Sequence, residues 1–216
     1  SAASDVYKRQ ALMMVAITSC DEHREFPDTA MKTCDILCTD GKVVRYEDMK
    51  SQGKQPIAVV FHINQNNETQ GTGYAVYLWD IAPEAYSDNI GVKHNTSANI
   101  TAFDGNMNTH SMYSSGVSPA ATAVFDMWQY GQSAYIPSVA EIRLLYGAKN
   151  TVNNYIKKCG GDVISDDPDE CWYWTSTEVK DMESAKAWLF SLASGALQET
   201  PKEQSHKVRP IITLYN

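Results

Sequence analysis

Cys171-Trp172-Tyr173-Trp174-Thr175-Ser176-Thr177-Glu178 packs three aromatic rings and three Ser or Thr hydroxyls into eight residues, directly after the acidic run 166–170. Aromatic and β-branched residues in a short run predict a strand. Alternate strand residues share a face, so Trp172, Trp174 and Ser176 point one way and Tyr173, Thr175 and Thr177 the other. The fold depends on which of these faces is core and which is left for binding.

Working outward, two further strands are predicted at Ile57 to Ile63, a β-branched and aromatic run, and at Tyr74 to Trp79. The tail adds Ala187 to Leu192 and Val208 to Leu214, with Ser194-Gly195 as a turn. One helix is expected from Pro119, with Ala120, Val124, Phe125 and Trp128 on one face and Gly131 at its end. Ser138-Val139-Ala140-Glu141 reads as a capping box that opens a second helix through Ile142, Leu145 and Tyr146. A shorter helical stretch, Val152 to Lys158, stops at Gly160-Gly161. From Ile81 to Gly116 the composition turns to Asn, Ser, Thr, Asp and Gly, which predicts a long irregular region that must pack on the domain.

The chain has 216 residues, 43% of them hydrophobic, enough for one substantial core. A formal net charge of −8 argues against nucleic acid as a partner, because a phosphate-binding surface needs clustered Lys and Arg. No apolar run reaches the roughly 18 residues of a spanning helix. Any membrane link is therefore expected to be covalent or peripheral.

Lys8 and Arg9, the apolar run Ala11 to Ile17 and Thr18-Ser19 before Cys20 follow the pattern of a secretory signal. Ile17-Thr18-Ser19-Cys20 resembles the bacterial lipoprotein type, in which Cys20 becomes the lipidated N-terminus. Residues 1–20 are thus expected to be a signal remnant, its first ten residues resembling translated adapter sequence. Residues 21–33 form a polar tether, and 34–216 one globular domain. The acidic residues after Cys20 resemble the signal that sends Gram-negative lipoproteins to the cell surface. In an exported chain the remaining Cys34, Cys38, Cys159 and Cys171 favour disulfides. Cys159 and Cys171 are expected to pair, closing a loop worth on the order of 3 kcal/mol; the pairing of Cys34 and Cys38 stays open.

Tyr135-Ile136-Pro137-Ser138, Trp174-Thr175-Ser176-Thr177-Glu178, Ala187-Trp188, Gly195 and Lys207-Val208-Arg209-Pro210 occur in that order. The set resembles the bacterial C-type-lectin-like domains found at the C-termini of collagen-like adhesins, over about residues 120–214. The resemblance implies an α+β fold with a twisted antiparallel sheet, two main helices and long irregular loops. It further implies that Trp174 and Trp188 hold the sheet against the helices, as core. Trp172 to Lys207 also resembles the framework of retroelement-diversified variable proteins, although this segment contains no Asn.

Enzymatic use of the same scaffold, as in formylglycine-generating enzymes, needs a reactive Cys pair or a metal cage. His23, His62, His94, His110 and His206 are scattered, without HxxxH or HxH spacing. No G-x-S-x-G, P-loop or dinucleotide fingerprint occurs. Asp104-Gly105-Asn106-Met107-Asn108 imitates half an EF-hand loop, but Thr109 and Ser115 stand where Gly and the bidentate Glu belong. We therefore expect no catalytic residue, no cofactor and no metal.

The expected function is ligand recognition by a lipid-anchored outer-membrane protein, the partner being an extracellular protein or a glycan. A structural or adhesin-tip subunit of a surface assembly is the alternative. Residues left free by the framework become the candidate ligand site: Tyr173, Glu178, Lys180, Gln198, Glu199, Lys202, Gln204 and His206. Their mixture of charges, amides and a ring suits recognition. The Asn95 to Thr109 loop is expected to matter less.

Overall fold

The computed structural model describes residues 30–127 and 134–215. They form an α+β domain with two sheets and four helices. The first sheet is antiparallel throughout and runs in the order β2 (Val43–Val44), β1 (Ile36–Cys38), β3 (Pro56–Ile63), β4 (Gly73–Tyr77), β11 (Ile211–Leu214), β6 (Ala134–Tyr135). The second runs β5 (Ile81–Ala85), β10 (Ser205–Val208), β7 (Trp172–Glu178), β8 (Lys186–Ser191), β9 (Leu197–Pro201). Its β10–β7 pairing is parallel, with Lys207 opposite Tyr173. The helices are α1 (Tyr46–Ser51), α2 (Gly105–Ser114), α3 (Pro119–Phe125) and α4 (Val139–Lys158).

Two-residue alternation distributes the strands between two cores. In β3, Ala58 and Val60 join one cluster with Ala75, Ala121, Val124 and Trp174, while Val59 and Phe61 join another with Val76, Ile142, Tyr173 and Phe190. Both faces of the first sheet are thus covered, one by α2 and α3 and the other by α4. The same alternation divides β7, sending Trp174 to one core and Tyr173 to the other. Trp174 has no exposed surface, and its Nε1 donates to the Glu84 carbonyl at 3.0 Å. It is core, as expected.

Ser138 caps α4 with both halves of the predicted capping box in place. The helix then continues unbroken for 20 residues, joining the expected helix through Tyr146 to the expected stretch Val152 to Lys158. Ile142, Leu145, Val152 and Ile156 make one buried stripe across the join, and Gly147 lies on the solvent side, where its missing side chain costs no packing. α3 begins at Pro119 as expected, with Ser118 accepting from the Ala121 amide as its cap; Trp128 and Gly131 lie outside the described residues.

The expected strand Val208 to Leu214 is two strands in different sheets. Between them Pro210 has no amide proton to give, and Arg209 turns inward. The buried guanidinium donates to Asp80 Oδ1 at 2.8 Å, to the Asp162 carbonyl at 2.7 Å and to the Leu78 carbonyl at 3.2 Å. This cation ties the end of β4 to the chain leaving α4 and to the corner between the sheets.

The region expected to be irregular contains β5 and α2. The Asp104 to Asn108 stretch is the start of α2, where Asn108 Nδ2 donates to Asp104 Oδ1 at 2.8 Å. Residues 86–104 carry neither helix nor strand, yet they pack on the domain through buried Tyr86, His94 and Thr96.

Cys159 and Cys171 are free thiols, as are Cys34 and Cys38, which corrects the expected bridge. After α4 the chain is fastened elsewhere, with the Asp162 amide donating to the Leu78 carbonyl at 2.8 Å and Gly161 pressed against Leu78. Cys159 packs on the α4 core, whereas Cys171 approaches Ser191 Oγ at 3.2 Å across β7 and β8.

Candidate recognition groove

β8 and β9 pair with Trp188 opposite Glu199, and Lys186 stands two residues before Trp188 on the same face. Beyond the reach of α4, this face opens into a groove of about 580 Å³, within the size range of small-ligand sites. The half-buried Trp188 and the apolar Val179, Ala98 and Ile100 line it, with Ser97, Asn99, Lys180, Glu183 and Glu199 supplying polar groups. Lys186 Nζ holds Glu199 Oε2 at 3.1 Å, and Lys93 Nζ holds Glu183 Oε2 at 3.2 Å. Lys180 makes no ion pair among the described residues.

One wall is an irregular segment pinned from several sides. The Ser97 amide donates to Asn108 Oδ1 at 3.2 Å, and Arg143 Nη1 donates to the Ile100 carbonyl at 3.3 Å. Ser138 Oγ donates to the Ala102 carbonyl at 2.7 Å. Within this wall Ala98 has φ of 50°, a left-handed conformation that costs a residue bearing a Cβ on the order of 1 kcal/mol and clusters at ligand clamps.

The wall's root is a buried charge cluster. Glu178 accepts from the His94 amide at 2.8 Å and from the Thr96 amide and hydroxyl at 3.2 and 3.0 Å, and it receives Lys202 Nζ. The remaining Lys202 protons go to the Val92 carbonyl and to His94 Nδ1, both at 2.9 Å. An ammonium can only donate, so His94 Nδ1 accepts and its proton resides on Nε2. That Nε2 has no partner among the described residues, and His94 borders a recess with His110, Ser111, Ser114 and Ser115. Burial works to raise the Glu178 carboxyl, but the hydrogen bonds from the His94 backbone amide and from Lys202, with the Lys202 charge, outweigh it and hold the group below the ordinary carboxylate range.

The structure divides the predicted ligand residues. Lys180 and Glu199 meet in the groove. Gln198 and Gln204 are exposed but do not line it, and His206 is half-buried against Trp174 with ring centroids 5.2 Å apart. Tyr173, Glu178 and Lys202 are buried and do not belong to an exposed face. β7 is an inner strand with both faces covered, so Tyr173 spends its hydroxyl on Asp80 Oδ2 at 3.2 Å. Glu178 and Lys202 satisfy each other inside the domain.

One expectation reverses: Trp188 is a half-buried groove residue and not core. Ser97 to Ile100, within the Asn95 to Thr109 loop, form the groove's other wall. The alternation Lys186, Trp188 against Ala187, Leu189 held the signal for Trp188, because it puts the indole on the face of a lysine. Nothing local in the sequence brings Ser97 to Ile100 beside it, since that placement depends on Glu178 and Arg143.

No family model matches the chain, and no curated protein matches it. Its fold is similar to that of a fimbrial protein from Bacteroides ovatus, solved as a crystal structure, at a TM-score of 0.63 and 15% identity. The match covers 85% of this chain and 49% of that one, so the chain spans about half the length of the fimbrial protein.

Proposed function

We propose that the chain is a non-enzymatic surface protein of adhesin type, anchored in the outer membrane by lipid on Cys20, that presents a C-type-lectin-like recognition module with the Trp188 groove as its binding face. The main support is the fold shared with a fimbrial protein over 85% of the chain. The groove adds a second reason, because an aromatic residue, a strained wall and paired charges at its rim form a prepared surface of the kind recognition uses. The ordered spacing from Tyr135 to Pro210 supports the lectin-like assignment, and Ile17 to Cys20 supports the anchor.

Surface display is the direct test. Intact Gram-negative cells producing the full chain should label with antibody, lose that label to external protease, and incorporate a fatty-acid analogue that Cys20→Ala abolishes. A chain that stays inside intact cells would overturn the reading.

A further inference from the structure

We propose that the corner between α1 and α4 is a binding site for a trimethylammonium group, with the chain's own Lys158 as its resident competitor. The site shares no residue with the Trp188 groove and does not rest on that reading. Tyr46 opens α1, and Tyr155 and Lys158 stand three residues apart at the end of α4, the spacing at which helical side chains meet. The two tyrosine rings lie edge to face at 78° with centroids 6.1 Å apart, so they make two walls of a corner. The Lys158 ammonium lies over both, 5.3 Å from the Tyr46 centroid and 4.7 Å from that of Tyr155. Both rings are half-buried, and the corner opens into a recess of about 410 Å³.

The group that occupies the corner shows which chemistry it takes. Asp35, Glu47 and Asp48 line the same recess, yet Lys158 forms no ion pair among the described residues, and its charge is met by the π faces. Lys202 also lies over a ring, that of Tyr86 at 5.2 Å, but it is buried and paired with Glu178, whereas Lys158 is exposed. Lys32, Arg45 and Lys158 balance the three carboxylates of the recess, so the lining turns net negative when Lys158 swings out. Asp35 gives Oδ2 to the Lys32 amide at 2.8 Å, and Glu47 and Asp48 make no ion pair among the described residues.

These features select the ligand by charge and by hydration. An anion is repelled by both π faces and by the carboxylates left in excess. A primary ammonium from outside is as strongly hydrated as Lys158 and lacks its tether, so it has no advantage over the resident group. A trimethylammonium group keeps the positive charge, holds its water less strongly because it has no N–H to donate, and sets methyl groups against both rings. Lys158 yields the corner at little cost, since its side chain already reaches solvent.

The test is titration calorimetry of the full chain with choline chloride, against sodium chloride at equal concentration. Lys158→Ala should bind choline about tenfold more tightly than the wild type, because the tethered competitor is gone. Adding Tyr155→Leu should reverse that gain by about tenfold, and adding Tyr155→Phe should keep most of it. The neutral analogue of choline, with carbon in place of the nitrogen, should bind about tenfold more weakly than choline. Phosphatidylcholine vesicles form a second arm: their retention beside choline binding assigns the group to a lipid surface, and choline binding alone assigns it to a free solute. A Lys158→Ala chain with wild-type melting that takes up no choline at tens of millimolar would overturn the site. Equal affinity for choline and its neutral analogue would overturn the cation, and unchanged affinity in Lys158→Ala would overturn the competitor role.

Discussion

Glu178 and Lys202 form an ion pair inside the domain, with side chains 0% and 3% exposed, although each looks like a surface residue in the sequence. Their partners extend from β7 to the root of the groove wall. Removing the cation leaves a buried carboxylate bonded to two backbone amides and one hydroxyl, without a countercharge. Lys202→Met should therefore destabilise the domain by about 3 to 5 kcal/mol in urea denaturation. Adding Glu178→Gln to that variant should recover part of the loss, because the stranded charge disappears. Additive losses would show that the two residues are energetically independent.

Two buried carboxyls make opposite predictions for pH. The Glu178 group, held below an ordinary 4.5, contributes stability that is present above pH 4.5 and is lost as pH falls through its depressed value. Glu141 sits in the capping box of α4, where burial, against the hydrogen bonds from Ser138, raises it to about 7. Its folded form keeps a proton that the unfolded chain releases above pH 4.5, so its contribution is present at low pH and declines as pH rises from 4.5 to 7. Urea midpoints across pH 3 to 7 should give a maximum, with Glu178→Gln flattening the acid side and Glu141→Gln the neutral side. Unaltered profiles in these variants would assign the pH dependence to other groups.

The two tryptophans expected to share a core role should separate in stability. Trp174→Ala empties a site with no solvent exposure and should cost about 3 to 5 kcal/mol. Trp188 already shows part of its surface to water, so Trp188→Ala should cost less than half as much. Equal losses in guanidinium denaturation would return Trp188 to the core.

The strands were legible where β-branched and aromatic residues run together, as in Ile57 to Ile63 and Trp172 to Thr177, both buried on consecutive residues. The capping box at Ser138 was legible because both partners lie within one helical turn. What could not be read is long-range. A chemically polar strand end such as Thr177-Glu178 looks solvated until Lys202 and the 94–96 segment arrive to satisfy it. Val208 to Leu214 looks like one strand until Arg209 finds Asp80 and Leu78. The groove combines both kinds of information, since Lys180 and Glu199 follow from the hairpin pattern, whereas its wall follows from side-chain bonds between segments far apart in sequence.

Cys159 and Cys171 should not be joined. The chain between them is fastened at Leu78, and Cys171 is engaged with Ser191 across β7 and β8. Alkylation of the unfolded protein without reductant, followed by mass spectrometry, should label both thiols. A joined peptide pair would show that the loop 160–170 takes another path.

The groove wall should be mobile in proportion to the anchors it loses. Arg143→Ala removes the bond to the Ile100 carbonyl from an exposed side chain and should leave overall stability within about 0.5 kcal/mol. Thr96→Val removes the hydroxyl bond to Glu178 Oε2 in the interior and should cost about 1 to 3 kcal/mol, because the carboxylate loses a buried donor. Hydrogen exchange at the amides of residues 97–102 should accelerate in both variants, while exchange in β3 and β4 should accelerate only in Thr96→Val, through its lower global stability. If Arg143→Ala left the 97–102 amides as protected as in the wild type, the wall would be held by the Ser97–Asn108 and Ser138–Ala102 bonds alone, and the preparation of the groove would lie in α2 and the cap of α4.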